Sequence, residues 1–196
     1  MKLGFIGCGK MASAIIKGVL SSSVKIEIKG SEVNPEAAEN NSKRLKIPVM
    51  TDNKMLVLDS DIIFIGVKPN CVVDVLEEIK DEMSGSFLEH APVVRIAAGV
   101  KTSKIENVIP NAKVVRVMPN TPALVLEGMS AVCKGKKATT DDVKSVIGLL
   151  SSIGKCVEVE ENQMDIVTAI SGSGPAFFYK VIEDIARAGE KLGLEY

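Results

Sequence analysis

The sequence predicts an α/β fold, a doubly wound and mostly parallel sheet, and three observations carry that prediction. Ile62-Ile63-Phe64-Ile65-Gly66-Val67 is continuously apolar, which marks a strand covered on both faces, as in a parallel sheet. The glycine-rich stretch Gly7-Cys8-Gly9 separates a short apolar run from a segment of helical periodicity. Strand-like and helix-like segments then alternate to about residue 160, the pattern left by helices that cross over between parallel strands.

The elements follow in order. Residues 3–6 read as a buried strand, and Met11, Ile15, Ile16 and Val19 recur on one face of a helix. Residues 25–29 alternate through Ile26 and Ile28, a strand pattern. Asn34-Pro35-Glu36 is a turn and helix start, with the helix at 36–45. Further strands are expected at 93–97 and 114–118, with Thr102 capping a helix that runs to Ile109 between them. Late strands are expected at 130–133 and 157–159, around a helix at 141–152. Beyond residue 161 no strand pattern remains. A long helix is expected at 176–192, with Gly193 as its C′ residue. The chain thus divides into 1–161 and 162–196.

Composition excludes several classes. Net charge is −1, aromatic residues are 4% and there is no Trp, so neither a basic face nor a stacking platform for nucleic acid is present. Cys8, Cys71, Cys133 and Cys156 show no paired spacing, and His90, expected in an exposed turn, is the one histidine. No metal site is predicted, and the cysteines read as reduced packing residues. The longest apolar run, 62–67, falls far short of the ~20 residues of a membrane helix. The opening apolar run is too short for a signal peptide. A cytoplasmic protein, with no membrane or nucleic-acid partner, is the expectation.

Gly7-Cys8-Gly9-Lys10-Met11-Ala12 fits the dinucleotide fingerprint in its proper context, after a strand and at the start of a helix. Gly7 permits the tight turn, Gly9 lets a pyrophosphate approach the backbone, and Ala12 lets the helix lie close to the sheet. The helix N-terminus offers N–H groups to phosphate. This is a Rossmann-type domain for NADPH or NADH. Glu32, just past the second strand, suits the ribose hydroxyls and would repel a 2′-phosphate. Ser31 can donate to either, and Lys10 or Lys29 could reach a phosphate, so the choice between the two cofactors stays open.

Four segments carry a resemblance to one family. They are 61–69, ending in Val67-Lys68-Pro69; Ile96-Ala97-Ala98-Gly99-Val100; Met118-Pro119-Asn120-Thr121-Pro122; and Ser171-Gly172-Ser173-Gly174-Pro175-Ala176. In that order they resemble the pyrroline-5-carboxylate reductases. The resemblance implies a Rossmann-type domain followed by the start of an all-α dimerisation domain, and a homodimer or higher homo-oligomer. It implies reduction of 1-pyrroline-5-carboxylate to L-proline by NAD(P)H, the last step of proline biosynthesis. It places Ile6, Gly7, Gly9, Lys10 and Met11 at the pyrophosphate, Ser31 near the ribose and Asn53 on the adenine side. Val67, Lys68 and Pro69 would lie along the cofactor, with Ala98 near the nicotinamide. Asn120, in a loop stiffened by two prolines, and Glu161 would serve the substrate. Family members continue past Tyr196 into a Ser-Pro-Gly-Gly-Thr-type loop that supplies a hydroxyl near the imine, so no catalytic residue is assigned within 1–196. A nucleotide-binding module without turnover and a different Rossmann-type reductase remain the rival readings. Phe177, Phe178, Val181, Ile182, Ile185 and Leu192 form an apolar stripe on the last helix that calls for a partner surface.

Overall fold

A computed structural model describes residues 1–83, 91–96 and 98–195. His90 and Ala97, where an exposed turn and a strand end were expected, lie outside the described residues.

Eight strands form one sheet in the order β3-β2-β1-β4-β5-β6-β7-β8. They are β1 (Lys2–Ile6), β2 (Glu27–Ser31), β3 (Val49–Met50), β4 (Ile62–Ile65), β5 (Pro92–Arg95), β6 (Lys113–Met118), β7 (Gly128–Lys134) and β8 (Gly154–Glu158). Every pairing is parallel except β6 with β7. The chain starts in the middle of the sheet, winds outwards to β3, then returns past β1 to build the other half. In open α/β sheets ligands bind where the strand order reverses, which here is at the C-terminal ends of β1 and β4.

Both faces are covered, as the unbroken apolar run of β4 requires. On one face Leu3, Phe5, Phe64, Val94 and Val115 pack with Ile15, Ile16 and Val19 of α1 (Lys10–Ser21) and with α6 (Thr140–Leu150). Phe5 and Phe64 stack there with ring centroids 4.5 Å apart. On the other face Ile6, Ile63, Ile65 and Val93 meet α3 (Asn53–Leu58), α4 (Val72–Met83) and α5 (Thr102–Glu106). Asn34 caps α2 (Pro35–Leu45) by accepting from Ala37 N–H at 3.1 Å.

Two expectations are corrected. Thr102 is the first residue of α5 rather than its cap, and α5 stops at Glu106 instead of running to Ile109. Lys101 is the extended residue before α5 and no side chain caps it, while residues 107–110 turn ahead of and into Pro110, which disfavours helical backbone in the residue before it. The second correction is of omission. The β3–α3 unit and α4 were not anticipated, although Val72, Leu76, Ile79 and Met83 form a buried helical face.

Past β8 the chain makes a turn at Glu161–Gln163, the short α7 (Met164–Val167) and a π-type turn at Thr168–Gly172, then enters α8 (Gly174–Lys191). Met164 is fully buried against Ala131 and Cys133, which pins this segment to the sheet. None of α8 is buried, and its Phe177, Phe178 and Ile185 are each about two-thirds exposed. Among the described residues no helix is long and apolar enough to cross a membrane, and no group of side chains could hold a metal ion.

Candidate functional site

The site is built on the β1–α1 turn. Gly7 sits at φ 86, and a Cβ there would lie 2.9 Å from Val67 Cγ1, so both backbone and space demand glycine. Gly9 is different. Its φ of −64 and ψ of −175 suit any residue, and a Cβ there would meet nothing within 4 Å. Glycine at Gly9 therefore clears room for something outside the chain. No side chain caps the α1 N-terminus that follows, so its N–H groups are available to an anion. Lys10 is exposed beside them and Met11 half-buried. These features fit a dinucleotide pyrophosphate.

The turn is braced from behind. Cys8 N–H donates to Glu32 Oε1 at 2.7 Å, and Asn41 Nδ2 donates to the same oxygen at 3.0 Å. Arg44 Nη2 reaches Cys8 O at 3.2 Å and Ser13 Oγ at 2.9 Å. Sequence reasoning missed Asn41 and Arg44. Both lie on a helix that looks like an ordinary polar face, and only the fold turns them towards the loop. Glu32 thus braces the loop through Oε1.

Not every expected residue offers a free group. Ile6 is buried, so its side chain belongs to the core and only its backbone borders the turn. The Ser31 hydroxyl is buried and donates to Asn53 Oδ1 at 2.6 Å, and Asn53 in turn donates to Glu78 Oε2 at 2.9 Å. Ser31 therefore orients Asn53 instead of presenting a free hydroxyl. Lys29 is tied to Asp59 and Glu27 at 2.5 and 3.0 Å, which removes it as a phosphate ligand. Val67 is half-buried, and Lys68, Pro69 and Ala98 are exposed past the ends of β4 and β5.

A second cluster is built on β5, β6 and β7. Arg95 and Arg116 are register partners on β5 and β6, and Arg116 pairs with Cys133 on β7. Both arginines are buried. Arg116 Nη1 donates to Glu161 Oε1 at 2.6 Å and Nη2 to Asp165 Oδ1 at 3.1 Å. Cys133 Sγ donates to Glu161 Oε2 at 3.1 Å. Glu161 was expected at the substrate. In this structure both its oxygens are taken by the protein's own donors, so it clamps the Glu161–Gln163 turn to the sheet. The sequence could not reveal this, because a buried arginine on a strand looks the same as one on a solvated edge.

Asn120 joins two of the sequence motifs. Its Oδ1 accepts from Met129 N–H at 2.9 Å and its Nδ2 donates to Ser171 Oγ at 3.4 Å. The two loops are in close contact, because a Cβ at Gly172 would lie 2.5 Å from Met118 Cε.

Electrostatics sort the cysteines. Burial, helped by Glu32, pushes the Cys8 thiol up to about 12, and burial with the Glu161 hydrogen bond does the same for Cys133. Both stay protonated at neutral pH and are poor nucleophiles. Alkylation with iodoacetamide at pH 8 is expected to label half-exposed Cys71 first and to spare Cys8 and Cys133. Peptide mass spectrometry reads the result, and early labelling of Cys133 would contradict the buried cluster.

Residues 2–99 match a family model described as NADP oxidoreductase, coenzyme F420-dependent. Residues 161–196 match one described as pyrroline-5-carboxylate reductase dimerisation. The chain is 40% identical over 197 residues to the pyrroline-5-carboxylate reductase of Methanosarcina acetivorans, covering 99% of this chain and 72% of that protein. It is 36% identical to the enzyme of that name from Corynebacterium melassecola, covering 98% and 72%. A crystal structure of the Plasmodium falciparum pyrroline carboxylate reductase with NADP bound superposes with a TM-score of 0.87 at 35% identity, covering 100% of this chain and 71% of that one. This chain belongs to the pyrroline-5-carboxylate reductase family.

Proposed function

We propose that this protein reduces 1-pyrroline-5-carboxylate to L-proline with NADPH or NADH, in the cytoplasm, as the last step of proline biosynthesis. The observation that carries this reading is the open space at Gly9 above an uncapped helix, in a chain 40% identical to a reductase of that name. The cofactor supplies a hydride to the imine carbon, and a proton must reach the ring nitrogen. Gly7, Gly9, Lys10 and Met11 hold the pyrophosphate. Glu32 and Asn53 face the adenosine end, with Ser31 holding Asn53. Val67, Lys68, Pro69 and Ala98 line the path to the nicotinamide. Asn120 stiffens the loop beside the substrate, and Glu161 fixes the floor beneath it. Aligning two rings and excluding water is the protein's main contribution. The test is oxidation of NADPH or NADH on adding the pyrroline, with proline as product. A protein that binds the cofactor and leaves it unoxidised would be a sensing module instead.

Glu32 governs the choice of cofactor in this reading. Glu32→Ser is expected to move the ratio of the NADH and NADPH dissociation constants several-fold towards NADPH, on the order of ~1 kcal/mol for a charge at a partly exposed site. Both affinities should weaken somewhat, because the Cys8 N–H loses its acceptor. The ratio is the readout, and an unmoved ratio places Glu32 away from the ribose.

The same reading divides the chain into a nucleotide-binding part at 1–161 and the start of a helical dimerisation part at 162–196. Phe177, Phe178, Val181, Ile182 and Ile185 of α8 are all more than half exposed. A stripe of that size is unfavourable in water. Sedimentation is expected to show a dimer or larger assembly, and Phe178→Asp should shift it towards monomer. A clean monomer of the unaltered protein at tens of micromolar would remove this part of the proposal.

A further inference from the structure

We propose that Arg95 is a positioning residue for hydride transfer, acting by fixing the backbone at 98–100 beside the nicotinamide. This rests on the reading of the site given above. Arg95 is the last residue of β5 and is fully buried. Its Nη1 donates to Val100 O and its Nη2 to Ala98 O, each at 2.9 Å. Its Nε has no partner among the described residues.

A buried guanidinium beside a second one is an expensive way to hold a loop. Burial and the neighbouring Arg116 bring Arg95 down to about 10, which leaves it a cation at neutral pH. What the arginine gives in return is geometry. A planar fork holds two carbonyls at once in one fixed geometry, which the rotatable ammonium of a lysine does not impose.

The direction of the two carbonyls matters. No peptide bond among the described residues is cis, and in a trans peptide the C=O and N–H point opposite ways. With Ala98 O turned inwards to Arg95, the Gly99 N–H of the same peptide points away from Arg95, on the exposed side of the loop. Gly99 sits at φ 79 with open space around its Cβ position. The result is a fixed donor on the exposed side of the loop, suited to an amide or carboxylate oxygen of whatever lies there. A charge-assisted bond on the carbonyl also strengthens the N–H of that peptide as a donor. Without Arg95 the loop keeps its sequence and loses its fixed distance to the reacting ring.

The test uses the protein as its gene encodes it, with Arg95→Met and Arg95→Lys. Three measurements are made: hydrogen exchange of the backbone at 98–106 without cofactor, the cofactor dissociation constant by fluorescence, and kcat with its deuterium isotope effect from cofactor labelled at nicotinamide C4. In Arg95→Met, exchange at 98–100 should quicken and kcat should fall about 10- to 100-fold, the range expected for a small misplacement of reacting groups. The isotope effect should rise, because hydride transfer becomes slower than product release. The cofactor dissociation constant should stay within about twofold, since the pyrophosphate contacts lie on another loop. Arg95→Lys should recover part of the rate. A folded Arg95→Met with unchanged exchange and isotope effect overturns the proposal. If Arg95→Met does not fold, the same two readings on Arg95→Lys decide in the same way. If the unaltered protein fails to oxidise cofactor with the pyrroline, the functional reading fails, and the exchange data still decide whether Arg95 fixes the loop.

Discussion

Gly9→Val is expected to weaken NADPH and NADH binding by at least ~100-fold, about 2.7 kcal/mol, in a protein whose fold is undisturbed. The two halves of that expectation come from the same place. At φ −64 and ψ −175 a valine backbone is unstrained, and its Cβ would meet nothing within 4 Å. The chain itself gives no reason for glycine there. The new branched side chain would stand over the α1 N-terminus, in the space where a pyrophosphate must touch the backbone. Gly7→Val makes the contrasting control. At φ 86, with Val67 Cγ1 2.9 Å from its Cβ position, that change should destabilise the fold directly. Fluorescence titration with far-ultraviolet circular dichroism separates the two. A folded Gly9→Val protein with unchanged affinity would show that the phosphates lie elsewhere.

What the sequence disclosed and what it hid follow from one physical difference. Periodicity and glycine spacing report local geometry. The run at 62–67 therefore announced a doubly covered strand, and Gly7-Cys8-Gly9 announced the turn that now carries the site. The two-residue β3 is too short to leave a period, whereas α4 carries its regular apolar spacing in its own residues. Long-range pairing is a different matter. Nothing in the residues around Glu161 tells that Arg116, 45 positions away, will take its carboxylate. The same holds for Arg44, 36 positions from the Cys8 carbonyl that it braces. Ser31, expected near the ribose, and Glu161, expected at the substrate, each hold another residue in place through bonds that their sequence neighbours do not announce.

Glu161→Ala is expected to destabilise the protein by about 2–4 kcal/mol, measured as a lower urea midpoint at unchanged slope. Removing one partner of a buried ion pair typically costs about 3–5 kcal/mol, because the other charge is left uncompensated. The loss here should fall around and below the lower end of that range, since the Glu161 side chain is 30% exposed and Arg116 keeps Asp165. Three donors lose their acceptor at once: Arg116 Nη1, the Thr102 N–H and Cys133 Sγ. Two adjacent buried cations, Arg95 and Arg116, are then left, among the described residues, with the exposed Asp165 as their ion-pair partner. Glu161→Gln keeps a carbonyl oxygen for Arg116 and should lose only about 1–2 kcal/mol, since hydrogen bonds to charged groups remain worth a sizeable part of that interaction. Arg116→Met combined with Glu161→Ala should lose less than the sum of the two single changes, because the second removal no longer strands a charge. Strict additivity, or a Glu161→Ala midpoint within error of the parent, would mean that the carboxylate is free in solution and available to the substrate after all.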